Sequence, residues 1–126
     1  MNKLTQRKKI LFVDDNKDIL CLANMMLQGL HVELLLASSG QEAIDIINNN
    51  AKSKIDLIFL DLMMPKITGW DVLKFIKDSK IQSPVVVQTG VMYEDDLQKA
   101  KKLGAVKCIT KPYTKKVIKH LVDQYV

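Results

Sequence analysis

Five short apolar runs, almost unbroken by charge, divide this chain: residues 10–13, 32–37, 55–60, 84–87 and 106–109. A strand with one wet face alternates apolar and polar residues. Runs without that alternation suit strands covered on both faces, as in a parallel sheet between layers of helix. Between the runs the apolar spacing becomes helical. Ile19, Ala23, Met26, Leu27 and Leu30 form one stripe; Ala43, Ile44 and Ile47 a second; Val72, Leu73 and Ile76 a third. Leu97, Ala100 and Leu103 make a thinner fourth, with acids in its first turn, and Val117, Ile118, Leu121, Val122 and Tyr125 a fifth. Ser39-Gly40 opens the second helix, Pro65 and Gly69 bracket the loop before the third, and Gly104 suits the end of the fourth. Five strands alternating with five helices, without repeat or linker, predict a doubly wound α/β domain. It is expected to occupy residues 9–126, behind a basic tail of residues 1–8, with the run at 32–37 on a sheet edge.

The 126 residues suffice for one real core, and 48% apolar with 26% charged residues is ordinary for a globular chain. No apolar stretch approaches the roughly 20 residues that cross a bilayer. The polar, basic start and the brief run behind it do not make a signal peptide, so a cytoplasmic location is expected. Cys21 and Cys108 sit inside apolar patterns without metal-ligand spacing and are expected to be buried small hydrophobes. The net charge of +5 favours an acidic partner protein, nucleic acid or a membrane surface without choosing among them.

The ends of the runs carry the chemistry. Asp14 and Asp15 close the first, Asp61 the third, and Lys111 follows the last. Parallel strands bring all four to one edge, where doubly wound sheets bind their ligands. Two unit charges about 5 Å apart repel by roughly 3 kcal/mol at an effective dielectric near 20, so such crowding calls for a cation. Oxygen donors suit Mg²⁺, which keeps several waters and leaves room for a phosphoryl oxygen. Asp61 is the candidate nucleophile, forming an acyl phosphate; Lys111 would contact the transferred group, and Thr89 offers a hydroxyl at the fourth strand's end. Taken singly, Asp14 and Asp15 read equally well as acids at a helix N-terminus. Thr89 alone is an ordinary strand-end hydroxyl, and only the set is specific.

That set, together with the stretches Ile10-Leu11-Phe12-Val13-Asp14-Asp15-Asn16, Leu60-Asp61-Leu62-Met63-Met64-Pro65, Gln88-Thr89-Gly90, Gly104-Ala105 and Thr110-Lys111-Pro112, resembles the receiver domain of two-component response regulators. The resemblance covers the chain from about Lys9 to its end. It implies a flavodoxin-like five-stranded sheet of order 2-1-3-4-5. It further implies that Asp61 accepts a phosphoryl group from a phosphohistidine of a sensor histidine kinase or a histidine phosphotransfer protein. Asp15 would hold Mg²⁺ directly, Asp14 largely through water, with Asp61 and the backbone carbonyl of Met63 completing the protein ligands. Thr89 and Lys111 would contact the acyl phosphate.

The chain departs from the family pattern at Cys108, three residues before Lys111, where an aromatic usually stands. Two readings follow: a relay that passes phosphate onward, or an ordinary regulator tolerating a small residue. Tyr113 lies nearby but in a different place. Met63 and Val91, two residues past Asp61 and Thr89, govern water access to the acyl phosphate in the family. Neither can orient a water, which implies slow self-dephosphorylation. Lys99, Lys101, Lys102, Lys107, Lys115, Lys116 and Lys119 read either as a solvated face or as a basic docking surface on the fourth helix, fifth strand and fifth helix. No module for reading nucleic acid is left over. With nothing after Val126, output is expected through a partner protein and no metabolite is expected to be turned over. The competing classes are an unphosphorylated scaffold of the same fold and an Asp-nucleophile phosphatase. The latter would need its second Asp two positions after the first, where this chain has Asn16.

Overall fold

The apolar runs become the strands of one sheet. The computed structural model describes residues 7–50, 54–91 and 93–126. Along the chain these form β1 (Lys8–Val13), α1 (Lys17–Leu27), β2 (Val32–Ala37), α2 (Gly40–Asn49), β3 (Leu57–Asp61) and α3 (Gly69–Asp78). They continue with β4 (Val85–Thr89), α4 (Glu94–Lys102), β5 (Lys107–Thr110) and α5 (Lys115–Tyr125). All pairings are parallel and the strand order is β2-β1-β3-β4-β5, with β2 on an edge as its polar flanks imply. Most of the expected basic tail, residues 1–6, lies outside the described residues, and β1 begins at Lys8.

Side chains alternate across a strand, so each central strand feeds two cores. Leu11, Val13, Ile58, Leu60, Val85 and Val87 face a layer completed by α2 and α3. Ile10, Phe12, Leu57, Phe59 and Val86 face the opposite layer, closed by α1 and α5, where Phe12 stacks on Phe59 at 5.0 Å between ring centres. Every residue of β3 and of β4 is buried, which accounts for their unalternating sequence.

Helix starts are fixed by side-chain caps. Asn16 accepts hydrogen bonds from the Asp18 and Ile19 amides, Ser39 from Glu42 and Thr114 from Val117. Thr68 and Asp71 form a reciprocal capping box on α3. At the end of α4, Gly104 takes a φ of +98°, a conformation that favours glycine.

The helix stripes differ from expectation in detail. In α1 the buried residues are Leu20, Ala23, Met26 and Leu27, while Ile19 is only half-buried and Leu30 lies beyond the helix. Adjacent Ile19 and Leu20 offered two possible faces, and the sheet selects the one carrying Leu20. Cys21 is exposed, contrary to expectation, because at about 100° per residue it falls on the far side of the helix from Ala23, Met26 and Leu27 whichever of the two faces is buried; Cys108 is half-buried. Val117 on α5 is likewise exposed. The thin fourth stripe leaves only Ala100 of α4 fully buried. Two contacts from α3 supplement its packing: Lys99 Nζ lies 4.4 Å from the centre of the Trp70 ring, and Lys77 Nζ donates to the Lys102 carbonyl at 2.9 Å.

Gly69 is the tightest point near the site. A Cβ there would lie 2.0 Å from the Asp61 carbonyl oxygen and 2.5 Å from the Leu62 Cα, both backbone atoms that cannot swing aside. Gly69→Ala is therefore expected to destabilise by about 2 kcal/mol or more. Gly90→Ala, where an added Cβ meets nothing within 4 Å, should stay within about 0.5 kcal/mol. Urea denaturation of the two variants tests this, and equal midpoints would contradict it.

Candidate functional site

Strand ends assemble the site. Asp14 follows β1 and is fully buried, its amide still bonded to the Ala37 carbonyl of β2 at 3.1 Å. Its Oδ1 accepts from the Asn16 amide at 2.9 Å, which fixes the carboxylate's orientation. Asp61 is the last residue of β3 and 2% exposed, with Oδ1 accepting from the Met63 amide at 3.1 Å. β1 and β3 are neighbours although β2 lies between them in sequence, so these two carboxylates sit where the winding reverses. Asp15 adds a third, exposed carboxylate, and one oxygen from each of the three falls within 4.8 Å of the others.

Lys111 reaches in from the far side of the sheet. Its Nζ lies 2.7 Å from Asp14 Oδ2 and 3.3 Å from Asp61 Oδ2. The approach to Asp14 is at ion-pair distance but outside hydrogen-bond alignment, so that buried oxygen retains capacity for another partner. The Lys111 backbone is placed by its amide, which donates to the Thr89 carbonyl at 2.8 Å. Thr89 itself ends β4, one residue beyond the position paired with Asp61, and is nearly buried. It lines a groove of about 550 Å³ with Met63, Trp70, Val91 and Tyr93. Met63, Val91 and Tyr93 are largely exposed there, an apolar rim beside a charged centre.

The electrostatics follow from this geometry. Burial pushes the Asp61 carboxyl up to about 6; the Met63 amide opposes the shift, Asp14 adds to it, and Lys111 counters again. For Lys111, burial disfavours the charge, but the carboxylates of Asp14 and Asp61 outweigh it and raise the ammonium's pKa. One ammonium thus serves two buried carboxylates and compensates them incompletely. The donor set fits a small hard cation. Oxygens on opposite sides of an octahedral Mg²⁺ are about 4.2 Å apart, so donors within 4.8 Å of one another are close enough to share such an ion. The Met63 peptide lies next to this set through its amide bond to Asp61.

The sequence-predicted residues Asp14, Asp15, Asp61 and Lys111 are therefore brought together, with Thr89 on the adjoining strand. Cys108 is half-buried, and burial raises its thiol pKa, which makes it a poor nucleophile. His31 and His120 are both exposed. Sequence reasoning gave no role to Gln88 and Tyr113. Gln88 is fully buried and the Tyr113 hydroxyl is buried too. A polar residue between the apolar fourth run and Thr89 was the available signal.

A carboxyl raised from 3.8 to about 6 binds its proton more tightly in the folded chain than in the unfolded one. The resulting stabilisation is present below the unfolded value and lost as pH rises through the folded value. Without metal, the protein should lose on the order of 1–3 kcal/mol from this group between about pH 4 and 7. Asp61→Asn should lack that loss and be the more stable of the two at pH 7.5 in chelator. Urea midpoints for both proteins at pH 4.5 and 7.5 check the sign; a less stable variant at pH 7.5 would refute it.

Comparison with known proteins agrees with the fold. Residues 10–123 match the family model described as the response regulator receiver domain. The response regulator SaeR of Staphylococcus aureus is 32% identical over 105 residues, which is 83% of this chain and 44% of SaeR. The chain thus spans less than half the length of that curated relative. A receiver domain protein from Clostridium thermocellum is 33% identical with a TM-score of 0.84, covering 94% of this chain and 93% of that one. The CheX–CheY–BeF3–Mg complex from Borrelia burgdorferi, 24% identical, shares the fold with a TM-score of 0.86 over 100% of this chain and 96% of that one. Matched to that family model over residues 10–123, the chain belongs to the response regulator receiver domain family of two-component signalling.

Proposed function

We propose that Asp61 is the phosphoacceptor of this domain. The observation that carries the reading is the buried Asp61 carboxylate held 3.3 Å from Lys111, with two further carboxylates within 4.8 Å. An Asp61 oxygen attacks the phosphorus of a phosphohistidine on a sensor histidine kinase or a histidine phosphotransfer protein. The new O–P bond forms as the P–N bond breaks, and the imidazole leaves with the bonding electron pair. Asp14, Asp15, Asp61 and the backbone carbonyl of Met63 are the residues that would hold Mg²⁺. Bound there, the ion supplies positive charge to the phosphoryl oxygens.

The remaining roles belong to the chain's own groups. The Asn16 amide orients Asp14, and the Met63 amide fixes one Asp61 oxygen, leaving the other beside Lys111. Lys111 pairs with the developing charge, and the Thr89 hydroxyl contacts the acyl phosphate. The domain acts as a signalling or relay module rather than as an enzyme. Cys108 provides no ring to rotate, so output is assigned to docking of a partner protein. The exposed lysines of α4, β5 and α5, Lys101, Lys102, Lys107, Lys115, Lys116 and Lys119, support an acidic partner there. Among the described residues no helix is long and apolar enough to cross a membrane.

Incubation with acetyl phosphate and Mg²⁺ should add one phosphoryl group to the intact mass of the wild type and none to Asp61→Ala. An unmodified wild type that also ignores beryllofluoride would leave the scaffold reading in its place. The acyl phosphate should be long-lived, with a half-life of minutes or more at neutral pH. Met63 and Val91 flank the groove and offer a water no hydrogen-bond partner from their side chains. Phosphate release with a half-life of seconds would contradict that expectation.

A further inference from the structure

Strand β4 carries a polar side chain where both of its faces are covered. Gln88 is fully buried, and neither of its amide atoms has a hydrogen-bond partner among the described residues. An amide buried that way costs about 1–3 kcal/mol, and it stands where β4 otherwise supplies valine. Its neighbours are set by the sheet. Gln88 is in register with Asp61 on one side and Ile109 on the other. Two residues along from Val86, it emerges on the face covered by α1 and α5.

Tyr113 occupies the same layer. Its ring packs against Phe12 with centres 6.1 Å apart, and its hydroxyl is buried without a hydrogen-bond partner among the described residues. The Gln88 amide is near enough to act on the phenol oxygen, although the two do not reach ordinary hydrogen-bond geometry. Two orphaned polar groups side by side in an apolar layer have one economical explanation, since buried polar atoms are almost always satisfied by each other or by water.

The position of the pair gives it a task. Lys111 is already stitched to β4 by its amide bond to Thr89. Gln88 precedes Thr89 on β4, and Tyr113 follows Lys111 by two residues. A link between them makes a second attachment on the other side of Lys111. A lysine on a flexible four-carbon stem can hold its ammonium between two carboxylates only if its backbone is fixed. We propose that Gln88 and Tyr113 form a buried polar tether that holds the Lys111–Pro112 segment over the acidic site. Both are then positioning residues for Lys111. The functional half of this inference rests on Asp61 being the phosphoacceptor.

The test uses Gln88→Met, Tyr113→Phe and the double variant. In metal-free urea denaturation each single change should lower the folded-to-unfolded ratio about 3–10-fold, because it strands the other partner. The double variant should recover most of that loss. Beryllofluoride binding at saturating Mg²⁺, followed by the fluorescence of Trp70 in the neighbouring groove, should weaken about 3–10-fold in all three variants, with Mg²⁺ affinity changed less than about twofold. General structural damage would instead lower both affinities and would be worst in the double variant. Additive stability losses, or beryllofluoride affinities all within about twofold of wild type, would overturn the proposal. A wild type that binds no beryllofluoride would remove the phosphoacceptor reading, and the stability cycle would then decide the tether by itself.

Discussion

The repulsion between Asp14 and Asp61, both buried, is the constraint around which the rest of this molecule is arranged. Neither carboxylate is well hydrated, and the ammonium of Lys111 is shared between them at 2.7 and 3.3 Å. The site is therefore held short of electrical balance. In the function proposed above that shortfall is useful, because a divalent cation and then a phosphoryl group would each enter a place prepared for charge. A fully neutralised site would be more stable and would have less reason to bind either.

This strand order gives such an arrangement from few residues. β1 and β3 are adjacent, so Asp14 and Asp61 meet without any long loop, and β4 and β5 follow on the same side to bring Thr89 and Lys111. The apolar lengths of the strands keep the acids at the rim: four buried residues precede Asp14 and four precede Asp61. The third helix is drawn close enough that Gly69 abuts the Asp61 backbone. The core thus fixes the backbone from which each charged side chain projects, and the backbone amides of Asn16 and Met63, donating to the two carboxylates, do the fine orientation.

Much of this was legible in the chain itself. Runs such as residues 57–60 have no alternation, which reveals a strand covered twice, and the acids at their ends announce the edge. Less legible was which of two adjacent apolar residues a helix buries. Ile19 and Leu20 are equally good by spacing, and the choice follows from how α1 lies on β1; Cys21 was assigned to the inside from its apolar neighbours alone, although the helical period puts it opposite Ala23, Met26 and Leu27. Gln88 and Tyr113 were missed for a different reason. Their significance lies in being next to each other across β4 and the segment after β5, and that adjacency does not exist until the sheet is formed. Distances such as that from Lys111 to Asp14 are of the same kind.

The two sides of the sheet are unequal, and this bears on how a change at Asp61 can spread. Toward α4 the packing is thin: Ala100 is the helix's one fully buried residue, and Cys108 offers only a small side chain beneath it. Toward α1 and α5 the layer is dense and aromatic, with Phe59, Phe12 and Tyr113 in successive contact. Close-packed interiors transmit displacement, whereas loosely seated elements absorb it. A shift of the Lys111 segment therefore has its stiffest route through Tyr113 into the α1–α5 layer. On the α4 side it meets a helix tied to its neighbours by the Lys99–Trp70 and Lys77–Lys102 contacts, both at the surface. Such contacts are individually weak and can be exchanged for those of a partner at little cost. The rigid side suits coupling within the domain, and the docking surface proposed above lies on the basic, more loosely held side.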